Sequence, residues 1–412
     1  MLPLQTKQTC TATHLRRSPA RVGPRGPGRR AIVRRTPLAR LPGMSWDDCD
    51  AGQQLDDRGP GDGTAGGEDL GHHGDVDAEP GLLDFAVNVR LDRPPQWLRD
   101  RLGAALDRLG SYPPAAEERA AREAVAARHG RAPDEVLALA GAAEGFALLS
   151  ALAPGLAAVV HPSFTEPERA LRAAGVPVRR VLLDAADGYR LRPGAVPEEA
   201  DLVVVGNPTN PTSVLHPAEV IAELARPGRV VVVDEAFADA VPGEAESLAA
   251  LRIPGVLVLR SLTKTWGLPG LRVGYALGEP DLLSRLTAFR PHWPVSTLVL
   301  EALVACSADG AVAEAQAAAR ASARHREEFL AELADVPGVQ ACRPAAAPFL
   351  LLRAEGGERV RAGLREHGVA VRRGDTFPGL GAEHLRVAVR APEQNAVLVK
   401  ALREVQRTQG WR

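Results

Sequence analysis

The chain has 412 residues, 45% of them hydrophobic, and a formal net charge of −1. This length allows one large or two ordinary domains with apolar cores, and the near-neutral charge gives no reason to expect a nucleic acid or an anionic membrane as a partner. Four widely spaced cysteines fit neither a disulfide framework nor a metal site, and no apolar run approaches the roughly 20 residues that span a bilayer. We therefore expect a cytoplasmic protein.

The N-terminal 70 residues carry their charge in two blocks and show no apolar periodicity. Residues 1–43 contain nine arginines, one lysine and no acid, whereas acidic residues with glycine and proline follow from Met44. This composition predicts a disordered tail over residues 1–70. Arg16 and Arg17 are similar to a twin-arginine export signal, but the apolar segment that should follow is missing. An alternative interpretation is that translation begins at Met44 and the basic block is not made.

Beyond this tail the chain alternates helical and strand patterns. Amphipathic helices are predicted in "PPQWLRDRLGAALDRL" and "AAEERAAREAVAARHG". Five short apolar runs follow: "AAVVHP", "VRRVLLD", "DLVVVGNP", "RVVVVDEAF" and "GVLVLRSLTK". Runs that are apolar on both faces belong to strands that are covered by helices on both sides. The pattern therefore predicts an α/β fold in three layers, with a mostly parallel sheet between two layers of helices.

The last third of the chain has a different pattern. A long helix rich in alanine, glutamate and arginine is predicted over residues 311–335, followed by "FLLLRA", a further helix, "GVAVRRGDTFPGLGAEHLRVAVR" and a closing helix. This order is typical of a smaller α+β domain. We therefore divide the ordered chain into an N-terminal arm (71–105) that joins the small domain, a large domain (106–290) and the small C-terminal domain (291–412).

Polar residues follow three of the apolar runs. An amide pair follows one run, a carboxylate ends the next, and two hydroxyls and an amine follow the third: Asn207 and Asn210; Asp234; and Ser261, Thr263 and Lys264. In open parallel sheets ligands bind at the carboxyl ends of the strands, so these groups should share one crevice. Lys264 is one of only two lysines before residue 400, in a chain nearly all of whose other cations are arginines. An amine, unlike a guanidinium, can lose its proton and form covalent bonds at nitrogen.

A lysine and a carboxylate at neighbouring strand ends suit pyridoxal phosphate. The lysine can form a Schiff base with this cofactor, and the carboxylate can hold a protonated ring nitrogen, which keeps the ring an electron sink. The cofactor phosphate needs a cradle, and "LALAGAAEGF" offers a strand end followed by the start of a helix at Ala142 and Ala143. The candidate partners of the phosphate are one guanidinium and two hydroxyls, those of Arg272, Ser261 and Thr263.

The motifs "NPTNPTS", "DEAF" and "SLTKTWGLPGLRVGY", in this order and spacing, resemble those of the fold-type I pyridoxal-phosphate enzymes. More narrowly, they are similar to the branch of histidinol-phosphate aminotransferases and threonine-phosphate decarboxylases, and in particular to actinobacterial proteins named as cobalamin-biosynthesis aminotransferases. The resemblance covers the chain from about residue 72 to the C-terminus. It implies the large and small domains of that fold, the cofactor pyridoxal 5'-phosphate and a homodimer.

The resemblance also implies roles for individual residues. Lys264 resembles the lysine that binds the cofactor and moves the proton, Asp234 the partner of the ring nitrogen, and Asn210 the donor to the ring oxygen. Phe164 falls where an aromatic ring stacks on the cofactor, and Tyr112 where a tyrosine reaches the cofactor phosphate of the neighbouring subunit. The candidate substrate-binding residues are an arginine for a carboxylate, a second arginine for a phosphate, an amide and a histidine: Arg386, Arg372, Asn88 and His73.

Each assignment has an ordinary structural alternative. Phe164 can simply pack in the apolar core, and Tyr112 can belong to a turn before two prolines. Arg386 can lie on the solvated face of an alternating strand. His73 lies in "GHHGD" at the edge of the tail, where adjacent histidines are usually solvated.

Two departures from the branch bear on the reaction. Aminotransferases of this branch carry tyrosine where this chain has Phe237, and the phenylalanine is similar to the threonine-phosphate decarboxylase side. The sequence "NVR" at residues 88–90 lacks the usual "NxNP" ending, so the substrate-side loop differs from that of the well-known decarboxylases. We expect decarboxylation of threonine phosphate in cobalamin synthesis, with histidinol-phosphate transamination to 2-oxoglutarate as the alternative.

Two further classes of protein remain as alternatives. A silent paralogue or a pyridoxal-binding regulator would have lost some of the cofactor-binding residues, whereas here only Phe237 departs from the family's set. A regulator would also carry a DNA-binding module, and no helical DNA-binding pattern precedes the domain. A Rossmann-type nucleotide binder would show G-x-G-x-x-G after an early strand, and "LALAGAAEGF" has a different spacing. Both are ranked below the enzyme.

Overall fold

The computed structural model describes residues 70–408 and residue 410. These residues belong to one compact unit, Ala65–Arg412. Three sequence-based expectations fall on residues 1–69 and lie outside the described residues: the disordered tail, the paired arginines and the alternative start at Met44.

Helices alternate with strands along the described part of the chain, as the apolar patterns predict. The helices are α1 (Gly74–Asp77), α2 (Gln96–Ala105), α3 (Ala115–His129), α4 (Ala142–Leu148), α5 (Glu166–Ala173), α6 (Ala218–Ala222), α7 (Thr263–Trp266), α8 (Pro280–Leu286), α9 (Thr297–Ser307), α10 (Asp309–Ala334), α11 (Gly357–Glu366) and α12 (Pro392–Thr408). The strands are β1 (Leu83–Asp84), β2 (Val136–Leu139), β3 (Ala157–His161), β4 (Val178–Leu182), β5 (Leu202–Gly206), β6 (Val230–Asp234), β7 (Val256–Ser261), β8 (Gly274–Leu277), β9 (Val339–Ala341), β10 (Phe349–Ala354), β11 (Val369–Ala370), β12 (Arg372–Arg373) and β13 (His384–Ala388). Of these helices, none is both long and apolar enough to cross a membrane.

Seven strands form a central sheet in the order β2-β8-β7-β6-β5-β3-β4. The five predicted apolar runs are β3 to β7, which pair in parallel, whereas β8 runs antiparallel to both of its neighbours. The predicted mostly parallel sheet is therefore confirmed. The sequence pattern does not predict β8, because its first two residues, Gly274 and Tyr275, end the lysine-bearing motif and its four residues were not recognised as a separate apolar run.

Both faces of the central strands are buried. Val203, Val205 and Val231 belong to an apolar core formed with α3 and α9. Val204 and Val232, which point to the other face, belong to a core formed with α4, α5 and α8. This double burial explains the unbroken apolar runs, and it confirms the three-layer fold.

A second sheet lies in the C-terminal part of the chain. Its four antiparallel strands follow the order β12-β13-β10-β9, and its apolar core is completed by α11, α12 and the C-terminal end of α10. β1 pairs with β11, Leu83 opposite Val369, so part of the N-terminal arm contacts this region. The boundaries at residues 71–105, 106–290 and 291–412 stay a prediction.

The register of the central strands determines where their ends lie. Gly206 of β5 is opposite Asp234 of β6, and Asp234 is opposite Leu259 of β7. The residues that follow β5 and β7 therefore leave the sheet at the edge where Asp234 lies. In a parallel sheet this carboxyl-terminal edge is the usual place for a ligand.

Candidate active site

A cavity of about 570 Å³ lies at this edge of the central sheet. All predicted site residues except Asn207 and Tyr112 line it: His73, Asn88, Ala142, Ala143, Phe164, Asn210, Asp234, Ser261, Thr263, Lys264, Arg272, Arg372 and Arg386. Asn207 is instead buried in the protein, where its amide donates to the carbonyl oxygens of His216 and Glu246 at 3.2 and 3.1 Å. Tyr112 lies outside the cavity with 73% of its surface exposed, and its ring stacks on Trp293 at 4.4 Å between centroids. The structure thus brings the predicted residues together, while their individual roles stay predictions.

Lys264 lies on α7, a single turn of helix that follows β7. Gly267 ends this turn with a φ of 63°, and a Cβ at that position would lie 3.0 Å from the Leu91 carbonyl oxygen, so glycine is required there. Burial lowers the pKa of the Lys264 amine to about 8, with further lowering by Arg386 and Arg272. A substantial fraction of the amine is therefore neutral near physiological pH and can act as a nucleophile.

Asp234 lies at the end of β6, on the floor of the cavity. Its Oδ1 accepts a hydrogen bond from the backbone N–H of Ala236 at 3.0 Å. Burial raises the pKa of the Asp234 carboxyl to about 6, and the Ala236 hydrogen bond and the charge of Lys264 oppose that rise. The carboxylate would therefore be stabilised by a cation placed in the cavity, such as a protonated ring nitrogen.

The loop between β2 and α4 forms a cradle beneath Arg272. Gly141 has a φ of 82°, and a Cβ there would lie 2.7 Å from Nη2 of Arg272, so the guanidinium sits directly over the loop backbone. The first N–H groups of α4, those of Ala142 and Ala143, are at the helix start and lack partners within the helix. The buried Thr263 hydroxyl has no hydrogen-bond partner among the described residues. These donors fit a phosphate group.

Arg386 of β13 joins the small sheet to the cavity. Its Nη1 donates to Oδ1 of Asn210 at 2.8 Å, and its Nη2 donates to the Ala86 carbonyl oxygen. With the Asn88 amide oxygen turned toward it, Arg386 also donates from Nε and Nη1 at 3.3 and 3.2 Å. Because Oδ1 of Asn210 accepts this bond from Arg386, the orientation of the Asn210 amide is fixed. The NH₂ group of Asn210 is then available as a donor. Burial lowers the pKa of Arg386 to about 9, which leaves it charged at neutral pH.

Arg372 and His73, the two candidates for binding a substrate phosphate, differ in how many of their hydrogen-bond donors are already used by the protein. Arg372 is 2% exposed and donates to the Thr376 hydroxyl at 2.7 Å and to the carbonyl oxygens of His72 and Arg373 at 2.8 and 2.9 Å. Most of its donors are therefore held by the protein. His73 is partly exposed, and burial is the main cause that lowers the pKa of its imidazole. Its ring lies 5.6 Å from that of Phe164.

A buried ion cluster behind Lys264 is not predicted by the motifs. Arg260 of β7 is 1% exposed and donates to Glu235 at 3.0 Å, to Glu244 at 2.7 Å and to Asp239. The charges of Arg128 and Arg260 hold the pKa of the Asp239 carboxyl below its usual range, although burial opposes them. A lone arginine inside the apolar run "VLVLR" is the signal that could have revealed this cluster, because an unpaired buried charge is very costly.

These groups define a class of protein. An amine that is partly neutral near pH 7 and a buried carboxylate lie at the ends of the neighbouring strands β7 and β6, and an anion cradle follows β2. Together these are the groups that hold and activate pyridoxal phosphate. The orphaned Thr263 hydroxyl and the close approach of Arg272 to Gly141 show that the residues present fit this cofactor. The site is that of a pyridoxal-phosphate enzyme.

Comparison with known proteins gives the family. The family model for class I and II aminotransferases matches residues 80–402. A histidinol-phosphate aminotransferase of Mycobacterium tuberculosis is 57% identical over 333 residues, which cover 81% of this chain and 90% of that protein. The threonine-phosphate decarboxylase of Salmonella typhimurium is 32% identical over 340 residues, which cover 79% of this chain and 91% of that protein.

A solved structure agrees with these relatives. The histidinol-phosphate aminotransferase of Sinorhizobium meliloti in complex with pyridoxal-5'-phosphate has a TM-score of 0.69 and 21% identity, covering 79% of this chain and 91% of that chain. The present chain therefore belongs to the class I and II aminotransferase family, whose members use pyridoxal 5'-phosphate. The predicted fold class and cofactor are confirmed.

Replacement of Lys264 tests the assignment of the cofactor lysine. Lys264→Ala should abolish the near-visible absorbance of the bound cofactor and lower activity by roughly 10³-fold or more, with the fold intact. Lys264→Arg should be no better, because a guanidinium stays protonated and cannot attack a carbonyl. Lys400→Ala, at an exposed position of α12, is the control and should behave as wild type. Wild-type absorbance in either Lys264 variant would refute the assignment.

The pKa of Lys264 predicts how cofactor binding depends on pH. Only the neutral amine attacks a carbonyl, and with a lowered pKa of about 8 the neutral fraction rises steeply below that pH and levels off above it. The cofactor-free chain should therefore bind pyridoxal phosphate faster as the pH rises, with a plateau above the pKa. Stopped-flow absorbance measures this rate. A flat profile from about pH 6 to 9 would contradict the shifted amine.

Asp234→Asn tests the carboxylate with little change in shape. The neutral amide should still allow cofactor binding but lower turnover by roughly 10²-fold or more, because it no longer stabilises a protonated ring nitrogen. Cofactor content and steady-state turnover are the two measurements. The matched control is Asp375→Asn, a partly exposed carboxylate paired with Arg373. If both variants turn over equally, Asp234 is not the ring partner.

Proposed function

We propose that this chain is a homodimeric cytoplasmic enzyme that decarboxylates threonine phosphate. In the proteins it resembles, this step feeds the aminopropanol arm of cobalamin synthesis. Relatives at 57% and 32% identity are both named for phosphorylated substrates, which supports a phosphorylated amine or amino acid as the substrate class. The observation that carries the choice of reaction is the environment of Phe237.

Phe237 presents an apolar ring where the related aminotransferases have a hydroxyl group. Its side chain is 6% exposed, its ring centroid lies 5.9 Å from Nζ of Lys264, and it meets the ring of Phe349 edge-on at 4.9 Å. A phenyl ring cannot donate a hydrogen bond to the cofactor. It does, however, form an apolar wall, and an apolar wall beside a carboxylate favours loss of CO₂, because the localised charge is poorly solvated there whereas CO₂ is neutral.

Arg386 lies where it can hold a substrate carboxylate against this wall. Its guanidinium is 5.8 Å from the ring of Phe349, and Asn88 and Asn210 contact it from two other directions. A carboxylate bound there would displace one of these neutral partners and form the stronger charge-assisted bond. The substrate phosphate would then extend toward His73 and Arg372, at the part of the cavity formed by the N-terminal arm.

The residues of this chain divide the work of decarboxylation among them. The bound cofactor supplies a sink for the electron pair that is released when a bond at Cα breaks. In decarboxylation that bond joins Cα to the carboxylate, so CO₂ leaves and one proton is added at Cα. Lys264, with a pKa of about 8, can carry that proton and donate it. Arg386 would orient the carboxylate, and Asp234 would stay ionised to hold a protonated ring nitrogen.

A second copy of the chain is proposed to complete the site. Five large apolar side chains are exposed in two nearby segments: Leu106, Leu109, Tyr112, Phe289 and Trp293. The stacking of Tyr112 on Trp293 shows that the two segments are adjacent. Burial of such a patch between two subunits would stabilise a dimer. It would also agree with the role that the resemblance implies for Tyr112, at the phosphate of the partner's cofactor.

Transamination of histidinol phosphate is the second candidate, and the mycobacterial relative favours it. That relative is named a histidinol-phosphate aminotransferase and is more similar to this chain than the relative named as a decarboxylase, at 57% against 32% identity. In this reaction Lys264 would remove the proton from Cα and deliver it to the cofactor. Arg386 would bind the carboxylate of the second substrate.

A two-arm assay separates the two reactions. One arm offers the holoenzyme threonine phosphate without a keto acid and measures CO₂. The other offers histidinol phosphate with 2-oxoglutarate and measures glutamate. We expect CO₂ release in the first arm with no requirement for a keto acid, and little glutamate in the second.

Phe237→Tyr provides the matched variant for this assay. Restoring the hydroxyl should lower the ratio of CO₂ to glutamate by roughly tenfold, since the apolar wall becomes a hydrogen-bond donor. Glutamate formation by wild type without any CO₂ would mean that the chain is the aminotransferase and that Phe237 does not select the reaction.

A further inference from the structure

The segment that carries Asn88 has no regular structure. Between β1 and α2 the chain contributes Ala86, Val87, Asn88 and Val89 to the cavity wall. Backbone carbonyl groups in such a segment need partners from elsewhere, and without them the segment would not hold one conformation. The proline of the usual "NxNP" ending, which would stiffen the segment, is absent here. The structure shows what replaces it.

Arg390, which follows β13, binds the carbonyl oxygens of this segment. Its Nε and Nη2 donate to Asp84 at 3.1 and 2.9 Å, Nη2 also donates to Val87 at 2.8 Å, and Nη1 donates to Val89 at 2.6 Å. One guanidinium thus ties three carbonyl groups of the segment together. An amine has no planar array of donors that could bind three separated acceptors in this way.

Arg390 is itself held by Asn395 of α12. Asn395 is 1% exposed; its Oδ1 accepts from the Arg390 backbone N–H at 3.0 Å, and its Nδ2 donates to the Arg390 carbonyl oxygen at 2.9 Å. From the other side, Oδ1 of Asp84 accepts from the backbone N–H groups of Ala86 and Val87 at 2.7 and 3.0 Å. A continuous series of hydrogen bonds therefore runs from Asn395 of α12 through Arg390 to residues 84–89 in the cavity wall.

This arrangement ends at Arg386. The Ala86 carbonyl oxygen accepts from Arg386, and the Asn88 side chain lies within 3.3 Å of the same guanidinium. Arg390 does not line the main cavity but a smaller one of about 260 Å³ beside it. Arg390 can therefore affect the substrate in two indirect ways, through residues 84–89 or through its charge, which adds to burial in lowering the pKa of Arg386. Replacement by lysine keeps the charge and so tests the contacts with residues 84–89 alone.

We propose that Arg390, held by Asn395, is a positioning residue that sets the carboxylate-binding geometry of Arg386 and Asn88 through the backbone of residues 84–89. The proposal rests on the proposed role of Arg386 toward a substrate carboxylate.

The test compares two ligands that differ only by the α-carboxylate: threonine phosphate and aminopropanol phosphate. In the Arg390→Lys holoenzyme the KM for threonine phosphate should rise about tenfold while kcat changes by less than about threefold. The Kd of aminopropanol phosphate, measured by the near-visible absorbance of the cofactor, should change by less than about twofold. Asn395→Ala should shift the same ratio in the same direction by a smaller factor.

The control is Arg353→Gln, an exposed arginine of β10 that does not contact residues 84–89. It should leave both ligands unaffected. Equal weakening of both ligands by Arg390→Lys, or a lower melting temperature with unchanged binding of both, would overturn the proposal, since either result is what a purely structural arginine produces.

The outcome remains interpretable if the proposed reaction is wrong. A wild-type enzyme that does not act on threonine phosphate would refute the decarboxylase, and the same comparison would then use glutamate and γ-aminobutyrate, which also differ only by the α-carboxylate. Selective weakening of glutamate in Arg390→Lys would support the positioning role without the decarboxylase. Equal effects on that pair would refute the positioning role independently.

Discussion

The site depends on the register of the parallel strands β5, β6 and β7. A buried arginine behind the cavity stabilises this register. Arg260 ties β7 to Glu235, the residue directly after Asp234. Because side chains alternate along a strand, a slip of one residue would turn Asp234 away from the cavity. Loss of one partner from a buried ion pair typically costs about 3–5 kcal/mol, so such a cluster strongly penalises alternative registers.

Burial then acts in opposite directions on the two groups that this register brings together. It raises the pKa of Asp234 to about 6 and lowers that of Lys264 to about 8, so both groups shift toward their neutral forms. A ligand that brings a cation to Asp234 offsets the cost of burying the Asp234 carboxylate. A carbonyl group on the same ligand reacts with the neutral amine that burial favours at Lys264. The site is therefore prepared for a cofactor with these two features at opposite ends of one ring. The cradle under Arg272 adds the requirement for an anion.

Local patterns in the sequence were sufficient for the five parallel strands β3 to β7 and for the polar residues that follow three of them, but not for β8. The runs that form β3, β5, β6 and β7 are buried on both faces, whereas β4, at the edge of the sheet, is partly exposed. The motifs lie where the strands end. The partners of the arginines could not be read from the sequence, because they depend on segments far apart in the chain. Arg372 is occupied by His72 and Thr376, and Arg390 by the backbone near Asp84, although both lie close to Arg386 in sequence. Sequence spacing shows which arginines are near the site, and only the fold shows which of their donors are free.

The same distinction applies to the choice of reaction. Phe237 is visible in the sequence, but its packing against Phe349 and its distance from Lys264 are tertiary facts. The apolar wall they form is the physical reason to expect the Cα–carboxylate bond to break in preference to the Cα–H bond. The substrate names of the relatives do not decide between these bonds, since the family includes both reactions.

The most direct test of this claim is a mass spectrum taken after the holoenzyme has acted on threonine phosphate in D₂O. If the carboxylate leaves and a solvent-derived proton is added at Cα, the aminopropanol phosphate product will carry one deuterium at that carbon, and the recovered threonine phosphate will carry none. If instead the Cα–H bond breaks first, deuterium will appear at Cα of the recovered threonine phosphate. That result would contradict the account.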